Sequence, residues 1–228
     1  MPGLLCYNKC SMKKPIITKE CAKALSETKF LNTYDLQYAE GAHYYIATRR
    51  NVDNLIATKS IEEQDHMLPD AVTCFIIIKQ KGEEDCLLLQ YEYRFPIGQY
   101  VLCPPAGIID AADCEGGNPL ITATIREIKE ETGLDVKDTD KIYVLNDLLF
   151  STPGFTDECN ALVVAEIELD DLSQLSHEYA EATELFGDFL LVTKKDAKNI
   201  LKRGRDPKGH HIPLYAYAAL SYFVLKEE

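Results

Sequence analysis

The spacing of apolar and polar positions changes several times along this 228-residue chain, and each change predicts an element. Val72 to Lys79 and Cys86 to Tyr91 are near-continuous apolar runs of strand length, separated by the charged turn at residues 81–85, and read as buried strands. His43 to Lys59 alternates as two strands would around a polar turn at Asn51 to Asn54, and residues 15–28 read as a short helix or a strand leading into Phe30 and Leu31. Tyr100 to Cys103 predicts another short strand, followed by a Pro-Pro-Ala-Gly break and a glycine-rich loop from Asp113 to Asn118. Proline at the first helical position and glycine just past the end delimit a helix from about Pro119 to Thr132. On it Ile121, Ile125 and Ile128 form one stripe expected to face the core, with Glu127, Glu130 and Glu131 on a different face. Tyr143 to Phe150 and Ala161 to Glu168 read as strands, Ala180 to Phe186 as a loop or turn, and Phe189 to Val192 as a last strand. Helices over Lys194 to Arg203 and Leu214 to Lys226 close the chain. This order implies an α/β fold of the mixed α+β kind, with a mixed sheet between helices. Residues 1–20 read as a flexible tail, 21–69 as an antiparallel β extension and 70–228 as the main domain.

Charge changes the picture next. The formal net charge of −13, from 24 basic and 37 acidic residues, disfavours nucleic acid and anionic membranes as partners. A small anionic substrate would be repelled too, unless a divalent cation and a few arginines reverse the sign at one spot. The longest apolar run, Ala71 to Ile78, is too short to span a bilayer, and the first residues lack a signal-peptide pattern, so a cytoplasmic protein is expected. None of the eight cysteines forms a CxxC pair; Cys6 and Cys10 are spaced CxxxC without a matching second half, and Cys74, Cys86 and Cys103 lie in apolar stretches. They read as reduced, structural thiols.

The segment from Arg126 to Leu134, REIKEETGL, carries the chemistry. Glu127 and Glu131 stand one helical turn apart and can share a cation. Three carboxylates on one helix repel one another; Arg126 relieves part of this by pairing with Glu130, and a divalent metal would relieve more. Taken alone, the segment is as compatible with a solvated acidic face as with a functional site, and Arg126 with a plain i,i+4 ion pair.

Its company decides. The run resembles the Nudix box, Arg-Glu-aliphatic-x-Glu-Glu-x-Gly-aliphatic, at every specified position. The block Pro105 to Asp110 resembles the turn opening that box in ADP-ribose pyrophosphatases. Gln90 to Pro96 is similar to their Q-Y-R-x-P strand end with two residues inserted, and Ser151 to Glu158 to their S-P-G-x-[ST]-x-E loop. The resemblance implies a Nudix fold and magnesium-dependent (or manganese-dependent) cleavage of a nucleoside diphosphate sugar, ADP-ribose foremost. It implies Glu127, Glu131 and the carbonyl of Ala106 as metal ligands, Glu130 as an outer or extra ligand, and Arg126 as the residue orienting the carboxylates. The general base falls to Glu184, then Glu181, with Glu158 a third candidate. Arg94, and more loosely Arg49 and Arg50, are implied to hold the substrate, with Phe155 a candidate to stack the base. A homodimer through the strands of 21–69 is also implied. Two departures stand out: Gly107 and Arg126 are 19 positions apart, five more than in the family, and the family's glutamate two before Pro105 is Cys103. Asp113, not a glutamate, holds the family offset from Gly107. These departures keep open a nucleotide-sugar sensor with weakened catalysis. GDP-mannose or UDP-glucose remains the rival substrate class, whereas the tryptophan-containing signature for reduced dinucleotides is impossible in a chain without tryptophan.

Overall fold

The structure is a computed structural model and describes residues 15–227; most of the tail expected over 1–20, with Cys6 and Cys10, lies outside the described residues. The chain divides into two compact units, one running to Met67 and including Phe150–Glu158, the other Leu68–Leu149 and Cys159 onward.

The first unit is built on an antiparallel sheet, β1 (Ala22–Glu27), β2 (Asn32–Ala39) and β3 (Ala42–Thr48), in that spatial order. Tyr34, Leu36 and Leu55 form its core, with Ile46 and Val52 packed against them. β2 is absent from the pattern reading above, although Tyr34, Leu36 and Tyr38 alternate with Asp35 and Gln37 at strand period. The second strand expected before Lys59 does not form. After β3 the chain makes 3-10 turns at Val52–Asn54 and Ile56–Thr58 and a short helix, α1 (Ile61–Gln64). The Asn51 side chain accepts from the Asp53 amide and closes the polar turn locally, and Leu55 then drops into the core. Residues 150–158 join this unit through the Ala47 N–H donating to the Phe155 carbonyl at 3.1 Å and the Ile56 N–H donating to the Asp157 carboxylate at 3.2 Å.

The second unit holds a seven-stranded mixed sheet. Its strands are β4 (Ala71–Lys79), β5 (Cys86–Arg94), β6 (Gln99–Cys103), β7 (Ala106–Ile108), β8 (Lys141–Phe150), β9 (Cys159–Glu168) and β10 (Phe186–Val192). The order is β10-β5-β4-β9-β8, with β6 on β5 and β7 on β4; β4 and β9 run parallel. Helix α2 (Pro119–Thr132) covers one face, and α3 (Lys194–Arg203) with α4 (Leu214–Leu225) the other. Period-two alternation sends Val72, Cys74, Ile76 and Ile78 towards α2, and Phe75 and Ile77 towards α3 and α4. A strand covered on both faces reads as a continuous apolar run, which is why β4 and β5 are legible from sequence. The sandwich of helices about a mixed sheet is the fold class expected.

One expectation about α2 is corrected. Ile125 is 40% exposed, while the sheet-facing side consists of Leu120, Ala123, Thr124, Glu127, Ile128, Glu131 and Thr132. Leu120, Ala123 and Ile128 set the inward direction, and at 3.6 residues per turn Glu127 and Glu131 share it. Two of the three glutamates are therefore buried rather than segregated from the core face.

Candidate active site

Helix α2 is fixed at both ends. The Asn118 side chain accepts from the Leu120 amide at 3.0 Å, Pro119 starts the first turn, and Gly133, at φ 73°, ends the last. The helix thus presents Glu127 and Glu131 to the strands at fixed height. A Cβ at Gly107 on β7 would overlap the Glu127 carboxylate, so only glycine lets strand and side chain approach this closely.

Glu131 is 2% exposed and accepts from the Gln90 side-chain amide and from the Ala106 N–H, the latter at 3.3 Å. Burial pushes its proton affinity well above the usual carboxylate range, and the neighbouring Glu127, Glu92 and Glu184 push it further. Burial likewise raises Glu127 to about 7, with Glu130 and Glu184 adding to the rise and Arg126 opposing it.

Arg126 is the cation nearest these groups, and it is heavily committed. Its fork meets Asp113 at 3.2 and 2.9 Å, Glu127 at 2.7 Å, Glu130 at 2.8 Å and the Ile108 carbonyl at 2.8 Å. This saturates the side chain and makes it an organiser of carboxylates rather than a free anion receptor. Ala111–Cys114 forms a 3-10 turn that buries Asp113 against Arg126, and that contact holds the Asp113 carboxyl below its usual value.

Glu181 and Glu184 sit on one tight turn before β10. The Glu184 N–H donates to the Glu181 carbonyl at 3.0 Å, and the Glu181 N–H to the Glu184 carboxylate at 3.3 Å. Glu181 is exposed; Glu184 is half-buried, and burial, then Glu181 and Glu130, raise its proton affinity while Arg94 opposes them. His177 fastens the start of this stretch. Its Nδ1 lies 2.6 Å from the Glu131 carbonyl and its Nε2 3.0 Å from the Gly187 carbonyl, and its ring stacks on Phe186 and Phe189.

Gln90 and Glu92 went unassigned from sequence. Their signal is strand alternation: Leu88, Gln90, Glu92 and Arg94 fall on one side of β5, and Leu88 packs in the core beneath α2. The Gln90 Oε1 is buried without a hydrogen-bond partner among the described residues.

The remaining predicted residues belong to the first unit. Arg49 pairs with Glu158 at 3.3 Å, Arg50 with Asp157 at 3.6 Å, and Phe155 is 61% exposed. The structure therefore brings together Ala106, Arg126, Glu127, Glu130 and Glu131, with Glu184 and Arg94 in electrostatic reach; Arg49, Arg50, Phe155 and Glu158 are residues of the first unit.

Among the described residues no three acidic, histidine or cysteine side chains are grouped so as to hold a metal ion. The donors nonetheless suit a divalent ion with a preference for oxygen. Glu127 and Glu131 are buried; Glu127 lies against Gly107 and shares Arg126 with Asp113 and Glu130, and Glu131 accepts only from neutral groups.

The profile of the NUDIX domain matches residues 67–207. An ADP-ribose pyrophosphatase of Saccharomyces cerevisiae is 37% identical over 101 residues, which is 44% of this chain and 40% of the yeast protein. An ADP-sugar pyrophosphatase of Mus musculus is 25% identical over 127 residues, 56% of this chain and 54% of the mouse protein. The chain thus spans about half the length, or less, of these two relatives. A crystal structure of an ADP compounds hydrolase superposes with a TM-score of 0.55 over 92% of both chains at 19% identity, a likeness of fold.

Proposed function

The chain belongs to the Nudix family, and from that premise we propose that it hydrolyses the diphosphate bond of a nucleoside diphosphate sugar with magnesium. ADP-ribose, giving AMP and ribose 5-phosphate, is the foremost substrate. The observation carrying this reading is the burial of Glu127 and Glu131 with too few cations of the chain's own. Family members generally use divalent metal ions, and the names of the yeast and mouse relatives support an ADP-sugar.

In this reading Glu127, Glu131 and the Ala106 carbonyl hold the metal, which when bound neutralises diphosphate charge and acidifies a water. Glu130 lies outside them, and Arg126 keeps the carboxylates oriented. Glu184 accepts the proton of the attacking water; burial and acidic neighbours raise its basicity, as this task requires. Glu181, on the same turn, is exposed, and Glu158 is engaged with Arg49, so both rank behind it. Arg94 holds a phosphate of the substrate through its planar fork. A homodimer through the N-terminal strands completes the proposal, and a monomer in sedimentation at micromolar concentration would remove that part.

The test is incubation with magnesium and a panel of ADP-ribose, GDP-mannose, UDP-glucose and NADH, with products separated by chromatography. AMP and ribose 5-phosphate from ADP-ribose are expected. Intact substrates alongside measurable binding would replace the hydrolase with a nucleotide-sugar sensor.

A further inference from the structure

Arg94 ends β5, and its side chain is 47% exposed. An arginine so placed ordinarily samples many rotamers, and ordering it costs entropy. Here it is turned back along its own strand. Its Nη2 donates to the Glu92 Oε2 at 2.6 Å, and the same oxygen receives the Cys103 Sγ–H at 3.4 Å. Cys103 lies on β6 directly opposite Gln90, so the Glu92 carboxylate is located from two strands at once. Stability does not account for this pair. A half-exposed ion pair contributes little, while Glu92, 13% exposed, bears the penalty of burial, with Glu184 adding to it. Neither Nε nor Nη1 of Arg94 has a hydrogen-bond partner among the described residues, which leaves one edge of the fork open.

We propose that Glu92 is a positioning residue, which fixes Arg94 at the end of β5 so that the open edge of its guanidinium meets a substrate phosphate. The inference rests on the diphosphate reading above and adds to it the residue that aims the arginine.

A double-mutant cycle tests it. Full-length Glu92→Gln, Arg94→Ala and the double variant would be compared with wild type for kcat and KM on ADP-ribose, for ADP-ribose affinity by calorimetry, and for Mn2+ affinity by electron paramagnetic resonance. Glu92→Gln should raise KM about tenfold with kcat changed less than about twofold, and the double variant should be no worse than Arg94→Ala. Mn2+ affinity should stay at the wild-type value. Multiplicative losses in the double variant, an unchanged KM, or weakened Mn2+ binding in Glu92→Gln would each overturn the proposal. Should Glu92→Gln fail to fold, Glu92→Asp keeps the charge but shortens its reach and should show the same KM loss. A wild type that binds ADP-ribose without cleaving it refutes hydrolysis and leaves the cycle readable in affinities; one that does neither overturns both.

Discussion

Glu166 on β9 and Glu131 on α2 are both nearly sealed from solvent, and the chain treats them in opposite ways. Glu166 receives Lys79 and Lys226 at 3.3 Å each and Lys141 at 3.7 Å, brought from three separate segments. Burial alone would raise its proton affinity, yet the lysines outweigh that and hold it below the usual carboxylate value. Glu131 receives a neutral side-chain amide and one backbone N–H, its neighbours are acids, and its proton affinity rises instead. Arg126, which contacts this cluster directly, is divided among Asp113, Glu127 and Glu130. A fold able to gather three lysines around one buried acid leaves two others short of positive charge. The difference is what the proposed metal site requires: carboxylates buried at α2 without the counter-charge that Glu166 receives.

Three measurements would break or sharpen this contrast. The largest effect is expected from Glu131→Gln. Turnover should fall on the order of 10³-fold, the scale of a lost metal contribution of several kcal/mol. The metal-free protein should nonetheless melt higher, because a buried acid without a counter-charge has been removed. A joint fall of turnover and melting temperature would make Glu131 an ordinary structural member. Glu166→Gln should do the reverse. Turnover stays near wild type, while stability drops by roughly 1–2 kcal/mol, below the range for fully buried pairs because Lys79 and Lys141 are partly solvated. Unchanged chemical denaturation would remove Glu166 from the comparison.

The smallest effect is on pH dependence without metal. Glu127 titrates near 4.5 when unfolded and near 7 when folded, so between these values the folded protein keeps a proton that the unfolded chain releases. Its contribution to stability is therefore full below about pH 4.5 and declines as pH rises towards 7, with Glu131 acting in the same direction. Glu166 has the opposite sign: its contribution is present above the ordinary carboxylate value and is lost on acidification. Melting of chelator-treated protein should weaken across pH 5 to 7, and added magnesium should raise the melting temperature more at pH 8 than at pH 5. Equal increments at both pH values would mean that protons and metal do not compete for these groups.

Much of this was legible in the sequence because local rules and tertiary structure agree. Pro119 and Gly133 delimit α2 where the structure does, and β4 is conspicuous because both of its faces are covered. The buried faces of α2 were not legible, since hydrophobicity assigns Ile125 inward and Glu127 outward, and a site short of cations inverts that rule. β2 went unseen because Asn32 and Asp35 are buried polar residues within an otherwise alternating strand. Gln90 and Glu92 were hidden for a related reason. Their importance depends on what stands opposite them, and nothing in residues 90–94 announces Glu131 or Cys103.

The His177 ring, bonded to the end of α2 and to the start of β10, pins the acidic turn at both feet. Closing a span between fixed ends costs only slightly more as the span lengthens. A longer span between these two anchors would therefore add little to the cost of closing the turn. On the proposed reading, sheet and helix would hold the metal, while the proton acceptor would come from a segment anchored only at its ends.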